Sequence, residues 1–283
     1  MRTWIIRWGL GLGIFGAFAF AGSGVSAAGL AVVNLGSPVV YQTGFESTDT
    51  PAYSVGNLNG QDGWTVQSGT TAEVVTDPVF AGTQAVRLSA GAMIDRAISG
   101  TGQSVVWLEG YFRGTGSAST PDDPATPAAS AIIHFSQTNG IQCLNGNGSG
   151  GGSFVDTGVA INSTTWYKIS VKLNYTTQKW DCYVDGVKKQ SVLGFRDNVS
   201  QLNGYRNFSE TISYLDSLRV LKSNKGDANG DQVVNIGDVV IVVNLSNGGT
   251  LSDPILADNA DMNNSASVTV EDVTAVANLV LGN

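Results

Sequence analysis

Histidine is nearly missing from this chain. There is one, His134, in 283 residues, so neither a His-based metal cluster nor an obvious Ser-His-Asp triad can be assembled. Charge is sparse as well: 13% of residues are Asp, Glu, Lys or Arg, and acids outnumber bases 23 to 15. Without Arg2 and Arg7 the net charge becomes −10, which argues against nucleic acid or an anionic membrane as a partner. Cysteine occurs twice, at Cys143 and Cys182. One disulfide and two buried thiols both stay open, because sequence does not place their Cα atoms. No helical periodicity is sustained through the middle of the chain. The longest uncharged apolar run, Trp8 to Ala21, is too short and glycine-rich for a membrane-spanning helix.

That run has a different reading. Arg2 and Arg7 precede it, and the small residues V-S-A-A, Val25 to Ala28, follow. The pattern predicts a secretory signal peptide over residues 1–27. The remainder is then secreted, with no stable membrane insertion after cleavage.

Glycine is abundant, at 36 residues. From residue 41 to 222 it punctuates short alternating runs, together with Asn, Asp and Ser. These runs include Ala72–Val75, Ala85–Leu88, Val105–Arg113, Ala131–Ser136, Trp166–Tyr175, Lys179–Val184 and Tyr214–Leu221. Asp185-Gly186 between two of them predicts a tight hairpin. The expectation is a mainly β fold, an antiparallel jelly-roll β-sandwich. Gly114 to Ser130, with T-P-D-D-P-A-T-P-A inside it, reads as an insertion between strands.

The end of the chain, residues 226–283, is organised differently. Asp227 opens D-A-N-G-D-Q-V-V-N-I-G-D, and Asp261 opens D-M-N-N-S-A-S-V-T-V-E-D. Both runs place oxygen side chains at positions one, three, five, nine and twelve. These are Asp227, Asn229, Asp231, Asn235 and Asp238, then Asp261, Asn263, Ser265, Thr269 and Asp272. Position seven adds a main-chain carbonyl, from Val233 and Ser267. Twelve residues with this spacing wrap hard oxygens around Ca²⁺, which predicts two bound ions. An apolar stretch follows each loop, and nine of 22 aligned positions are identical, so the unit is a duplication. Position six, usually Gly for its sharp turn, holds Gln232 and Ala266.

Paired calcium loops, each leading into one helix, resemble a type I dockerin. The resemblance implies a small helical calcium domain that binds a cohesin-bearing scaffold protein within a polysaccharide-degrading assembly. Two departures stand out. Positions ten and eleven, often Ser-Thr in that family, are Ile236-Gly237 and Val270-Glu271. The basic residue often found six places after the loop is Asn244 or Asn278. The connection from Lys222 to Gly226 is short, so module and sandwich should touch.

The middle domain carries G-F-E-S from Gly44, W-D-C-Y-V-D-G-V from Trp180 and Y-L-D-S-L-R-V from Tyr214. It resembles a laminin-G or concanavalin-A-like jelly roll. That resemblance implies a structural calcium between first and last strands, to which Glu46 and Asp216 would contribute.

Alternation along Val105–Arg113 turns Val106, Leu108 and Phe112 inward. It turns Trp107, Glu109, Tyr111 and Arg113 outward, and His134 is expected opposite the core in the next strand. Aromatic faces stack on sugar rings while Arg and Glu bind hydroxyls, so these five residues form a candidate polysaccharide or glycan surface. The E-x-D-x-E motif of laminarinase-type jelly rolls is absent, and Ile132 to His134 only partly echoes a lyase motif. The expectation is a secreted, non-catalytic carbohydrate-binding or adhesion protein. A glycoside hydrolase or lyase, and a structural surface protein with a calcium-stapled cap, are the alternatives.

Overall fold

The computed structural model describes residues 31–67, 69–98, 102–118 and 128–283. The expected signal peptide, and most of the Thr/Pro-rich stretch of the Gly114–Ser130 loop, lie outside the described residues. Among the described residues no helix is long and apolar enough to cross a membrane.

Among the described residues, seventeen strands and three α-helices follow in order. The strands are β1 (Val33–Asn34), β2 (Val39–Thr43), β3 (Gly56–Asn57), β4 (Trp64–Val66), β5 (Ala72–Val75) and β6 (Ala85–Leu88). Next come β7 (Ala92–Ala97), β8 (Val105–Gly114), β9 (Ile133–Ser136), β10 (Gly140–Gly146) and β11 (Gly152–Asp156). Then come β12 (Tyr167–Asn174), β13 (Lys179–Val184), β14 (Val187–Gly194), β15 (Gly204–Ser209), β16 (Ser213–Lys222) and β17 (Val233–Val234). The helices are α1 (Ile236–Ser246), α2 (Pro254–Ala260) and α3 (Val270–Leu281).

The fold is mainly β and antiparallel, with a small helical C-terminal region. A nine-stranded sheet runs β14-β13-β12-β8-β16-β6-β5-β3, with β2 also paired to β16. Two three-stranded sheets, β11-β10-β9 and β15-β7-β4, oppose it. The period-two pattern of the strands explains the core. Ile169, Val171 and Leu173 of β12 meet Ile141 and Cys143 of β10 in one cluster. Phe45, Val74, Val86, Leu88 and Leu215 meet Trp64 and Ile94 in a second. The β13–β14 hairpin turns at Asp185 and Gly186, with φ of 51° and 77°, as its Asp-Gly pair predicts.

Cys143 and Cys182 come from opposite sheets and are free, buried thiols. The Cys143 thiol is pushed up, first by its hydrogen bond with Cys182 and then by burial. That keeps it unreactive.

In the C-terminal module, α1 and α3 bury Val242, Val276 and Val280 against each other, with Ala228, Val234 and Ala260. Helix α2 is not foreseen from the repeat, because it lies between the two copies. Its signal is local: Asp253 caps it through Ile255 N at 2.8 Å, and Pro254 opens it. Ile255 of α2 inserts among Val105, Trp107, Tyr183 and Leu221 of the large sheet. The module therefore packs on the sandwich through α2, while α1 and α3 bury their stripes in each other.

Candidate calcium loops and aromatic face

Both loops close on their first and last aspartates. Asp227 Oδ1 accepts from Gly230 N at 2.8 Å and Oδ2 from Gln232 N at 3.0 Å. Asp261 accepts from Ser265 N at 3.0 Å, one loop position later than Gly230, and from Ala266 N at 2.9 Å, the counterpart of Gln232. At the far end Asp238 takes the amides of Ala228, Asn229 and Asn235. Asp272 takes those of Met262, Asn263 and Thr269. The position-twelve carboxylates also complete capping boxes with Asn235 and Thr269, which start α1 and α3.

Position six is informative. Gln232 and Ala266 have φ of +72° and +69°, the left-handed conformation in which glycine is usual. The position-one carboxylate grips each of these amides, holding the turn at about 1 kcal/mol or more of backbone cost per residue.

The donors suit Ca²⁺. Asp227, Asp238, Asp261 and Asp272 are all buried. Among the described residues no ion pair joins them to Lys or Arg, and buried carboxylates left without a cation are costly. Burial, and then the charges of Asp238 and Asp231, hold the Asp227 carboxyl above its usual range despite its amide bonds. Asp272 behaves differently: burial alone would raise it, but the Thr269, Asn263 and Met262 amides and the Thr269 hydroxyl bring it below its usual range. Among the described residues no three His, Cys, Asp or Glu side chains form a metal cluster. Beside these aspartates each loop carries Asn229, Asp231 and Asn235, or Asn263, Ser265 and Thr269, with the carbonyls of Val233 or Ser267 as candidate donors. That is a mixed oxygen set of the kind calcium accepts.

Glu46 and Asp216 meet at one loop between β5 and β6. Glu46 Oε1 accepts from Thr83 N at 2.8 Å and Gln84 N at 3.1 Å, and Oε2 from Thr83 Oγ1 at 2.6 Å. Asp216 Oδ2 accepts from Phe80 N at 2.8 Å and Ala81 N at 3.1 Å. Asp216 is fully buried, and burial holds its carboxyl above the usual range. Among the described residues it has no cationic partner.

The outer face of β8 divides into two halves. Trp107 and Glu109 do leave the inner core, as alternation requires, but neither is open to a glycan. Trp107 is 0% exposed beneath α2, and its Nε1 donates to Asp258 Oδ2 at 3.2 Å. Glu109 is buried between Lys168 at 2.8 Å and Arg219, with Ser170 Oγ donating at 2.6 Å. Burial would raise its carboxyl, but these partners outweigh it and hold the value low. The expectation that these two line an open sugar face is corrected by the docked module and this ion cluster. His134 is displaced too. It sits on β9 in the opposing sheet, across from Gln142 and 5.9 Å from the Phe154 ring, so it does not join the β8 set.

Tyr111 and Arg113 remain partly open, with three aromatic neighbours that the strand pattern does not reveal. Phe80, 43% exposed, stacks on Tyr111 with ring centroids 3.6 Å apart and planes 14° from parallel. Trp166 stands edge-on to Phe80 at 6.2 Å and to Tyr214 at 6.4 Å. The Arg113 guanidinium lies 5.8 Å over Tyr214, and its Nε donates to Ser163 O at 3.0 Å. Phe80 comes from a loop, placed by the Asp216 carboxylate that accepts its amide. The result is an aromatic platform with one guanidinium, suited to ring stacking and hydroxyl recognition.

The family model of the dockerin type I domain matches residues 225–281, the stretch that carries both loops and all three helices. The C-terminal module is a type I dockerin following a β-rich domain. No curated protein matches the chain. Among solved structures, a sialidase is similar at 8% identity and a TM-score of 0.46, over 77% of this chain and 21% of that one. The endo-β-1,4-glucuronan lyase of Trichoderma reesei is similar at 15% and 0.43, over 63% of this chain and 96% of the other. Domain 4 of a GH43 extracellular arabinanase from Geobacillus stearothermophilus, solved with arabinotriose, is similar at 14% and 0.44, over 66% and 93%. The chain thus spans about a fifth of the sialidase's length. At these scores the likenesses carry no argument about activity.

Proposed function

We propose that this chain is a secreted, non-catalytic component of an extracellular glycan-processing assembly. Its dockerin attaches it, with calcium bound, to a cohesin-bearing scaffold. Its sandwich offers a glycan the platform of Phe80, Tyr111, Trp166, Tyr214 and Arg113. The observation that carries attachment is the duplicated loop-and-helix unit with its outer faces uncovered. Ile236, Val240 and Val243 of α1 and Val270 and Leu281 of α3 are exposed apolar residues on helices whose other faces form the module core. Calcium binds in the loops opened by Asp227 and Asp261. A third ion, held by Glu46 and Asp216 with main-chain oxygens, belongs to the same proposal.

The test uses the full chain. It should be retained on an immobilised cohesin-bearing scaffold in calcium and released by chelator. Loss of retention in Ile236→Asp/Val240→Asp would support the helix face as the contact. Absence of retention on every scaffold tried would sink the attachment reading.

One observation favours a second reading. The burial of Trp107 under α2, and the pairing of β1 with β17, tie the module firmly to the sandwich. A calcium-stapled cap needs no more than that. Such a cap predicts neither scaffold nor glycan binding.

A further inference from the structure

The two calcium loops are near copies, but their surroundings differ. Val233 and Val234, at positions seven and eight of the first loop, pair as β17 with Asn34 and Val33 of β1. One residue further, Leu35 N donates to Gln232 O, the position-six carbonyl, at 3.0 Å. Val33 and Leu35 pack on the module core. Ala31 N donates to Val280 O, near the end of α3, at 2.6 Å. Among the described residues the matching stretch of the second loop, Ser267 and Val268, belongs to no strand pair. A segment that precedes the whole sandwich has thus become part of one calcium loop and not of the other.

We propose that residues 31–36 are a positioning element of the first calcium site. The carbonyl that position seven would give the ion belongs to Val233. Its direction depends on the peptide planes from Gln232 to Val234. Gln232 is in the left-handed region, which a glutamine does not favour on its own. The β1 ladder and the Leu35 amide hold those planes in the loop conformation. Calcium and β1 therefore stabilise the same backbone state. Linkage then requires each to strengthen the other. The second loop has no such strand and carries Ser265 where the first has Asp231, so its site should be the weaker.

This inference rests on the calcium reading of the loops, and the experiment separates the two. Full-length protein is titrated with Ca²⁺ by calorimetry, beside Leu35→Pro, which deletes the donor to Gln232. The tighter step should weaken about fivefold, the worth of one backbone hydrogen bond, while the weaker step stays put. Two unchanged steps, or two steps weakened alike, would overturn the positioning role and leave the calcium reading intact. No calcium binding in the parent protein would remove both. Hydrogen exchange on the parent chain guards against a variant that does not fold. Protection of the Leu35 amide should rise on adding calcium, and this rise should vanish in Asp227→Ala. Protection that ignores calcium overturns the proposal.

Discussion

Trp107, near the start of β8 on its outer face, donates its indole N–H to Asp258 of α2, 151 residues further along the chain. Asp258 also receives Lys172 of β12, Lys225 at 3.1 Å and the Ser223 hydroxyl at 3.0 Å. One carboxylate thus joins the sandwich, the connection and the dockerin. The short Lys222–Gly226 segment is pinned from both sides, so relative motion of the two units is restricted.

Trp107→Ala should destabilise the protein by about 3–5 kcal/mol, since it empties a fully buried site between Tyr183, Leu221 and Ile255. Trp107→Phe keeps most of the packing and should cost less, about 2 kcal/mol, chiefly the hydrogen bond to the charged Asp258. Chemical denaturation of both variants checks the pair. Equal, negligible effects would mean that α2 does not rest on this face in solution.

Acid should loosen this junction. Burial would raise the Asp258 carboxyl, but Lys225, Lys172 and the Trp107 indole outweigh it and hold the value below the usual carboxylate range. A depressed folded value contributes stability that is present above the unfolded value and lost as pH falls through the folded one. The loss therefore belongs below about pH 4. Melting temperatures of the parent and Asp258→Asn should differ at pH 6, and the difference should shrink as pH falls below about 4. A constant difference across that range would contradict the assignment.

The aromatic platform should tolerate truncation without unfolding. Phe80→Ala and Trp166→Ala each remove a ring that is at least partly exposed, so the β spectrum should persist. Glycan binding should weaken by about 1–3 kcal/mol per ring, taking base–aromatic stacking as the scale. Glycan-array screening followed by calorimetry measures this. A parent protein that binds no glycan on the array removes the glycan half of the proposed function.

Calcium stoichiometry tests the carboxylate pair in the sandwich. Three ions per chain are expected, falling to two in Asp216→Asn, by metal analysis after equilibrium dialysis. Two in the parent would reduce Glu46 and Asp216 to hydrogen-bonded clamps of the Phe80 loop. Chelation should also unfold the module in part, because its aspartates then stand together without a counter-charge.

Much of this was legible locally. Alternation placed β5, β6 and β13 at the residues expected, and it turned Val106, Leu108 and Phe112 inward. The capping boxes at Asn235 and Thr269 are written in the same positions that set the calcium spacing. Helix α2 is signalled only by the Asp253-Pro254 start, which lies between the two repeated units and outside their common pattern.

The period of each strand, the duplication of the calcium loops and the residues that start α1 and α3 are local properties of the chain, since they depend on neighbours a few positions away. Tertiary structure alone decided what covers each face. Alternation says that Trp107 and Tyr111 leave the same side of β8, but not that α2 lies over one and Phe80 over the other. It also decided that β1 completes the first loop and not the second. Two copies of one pattern carry the same local instruction, and only the path of the distant chain makes them different.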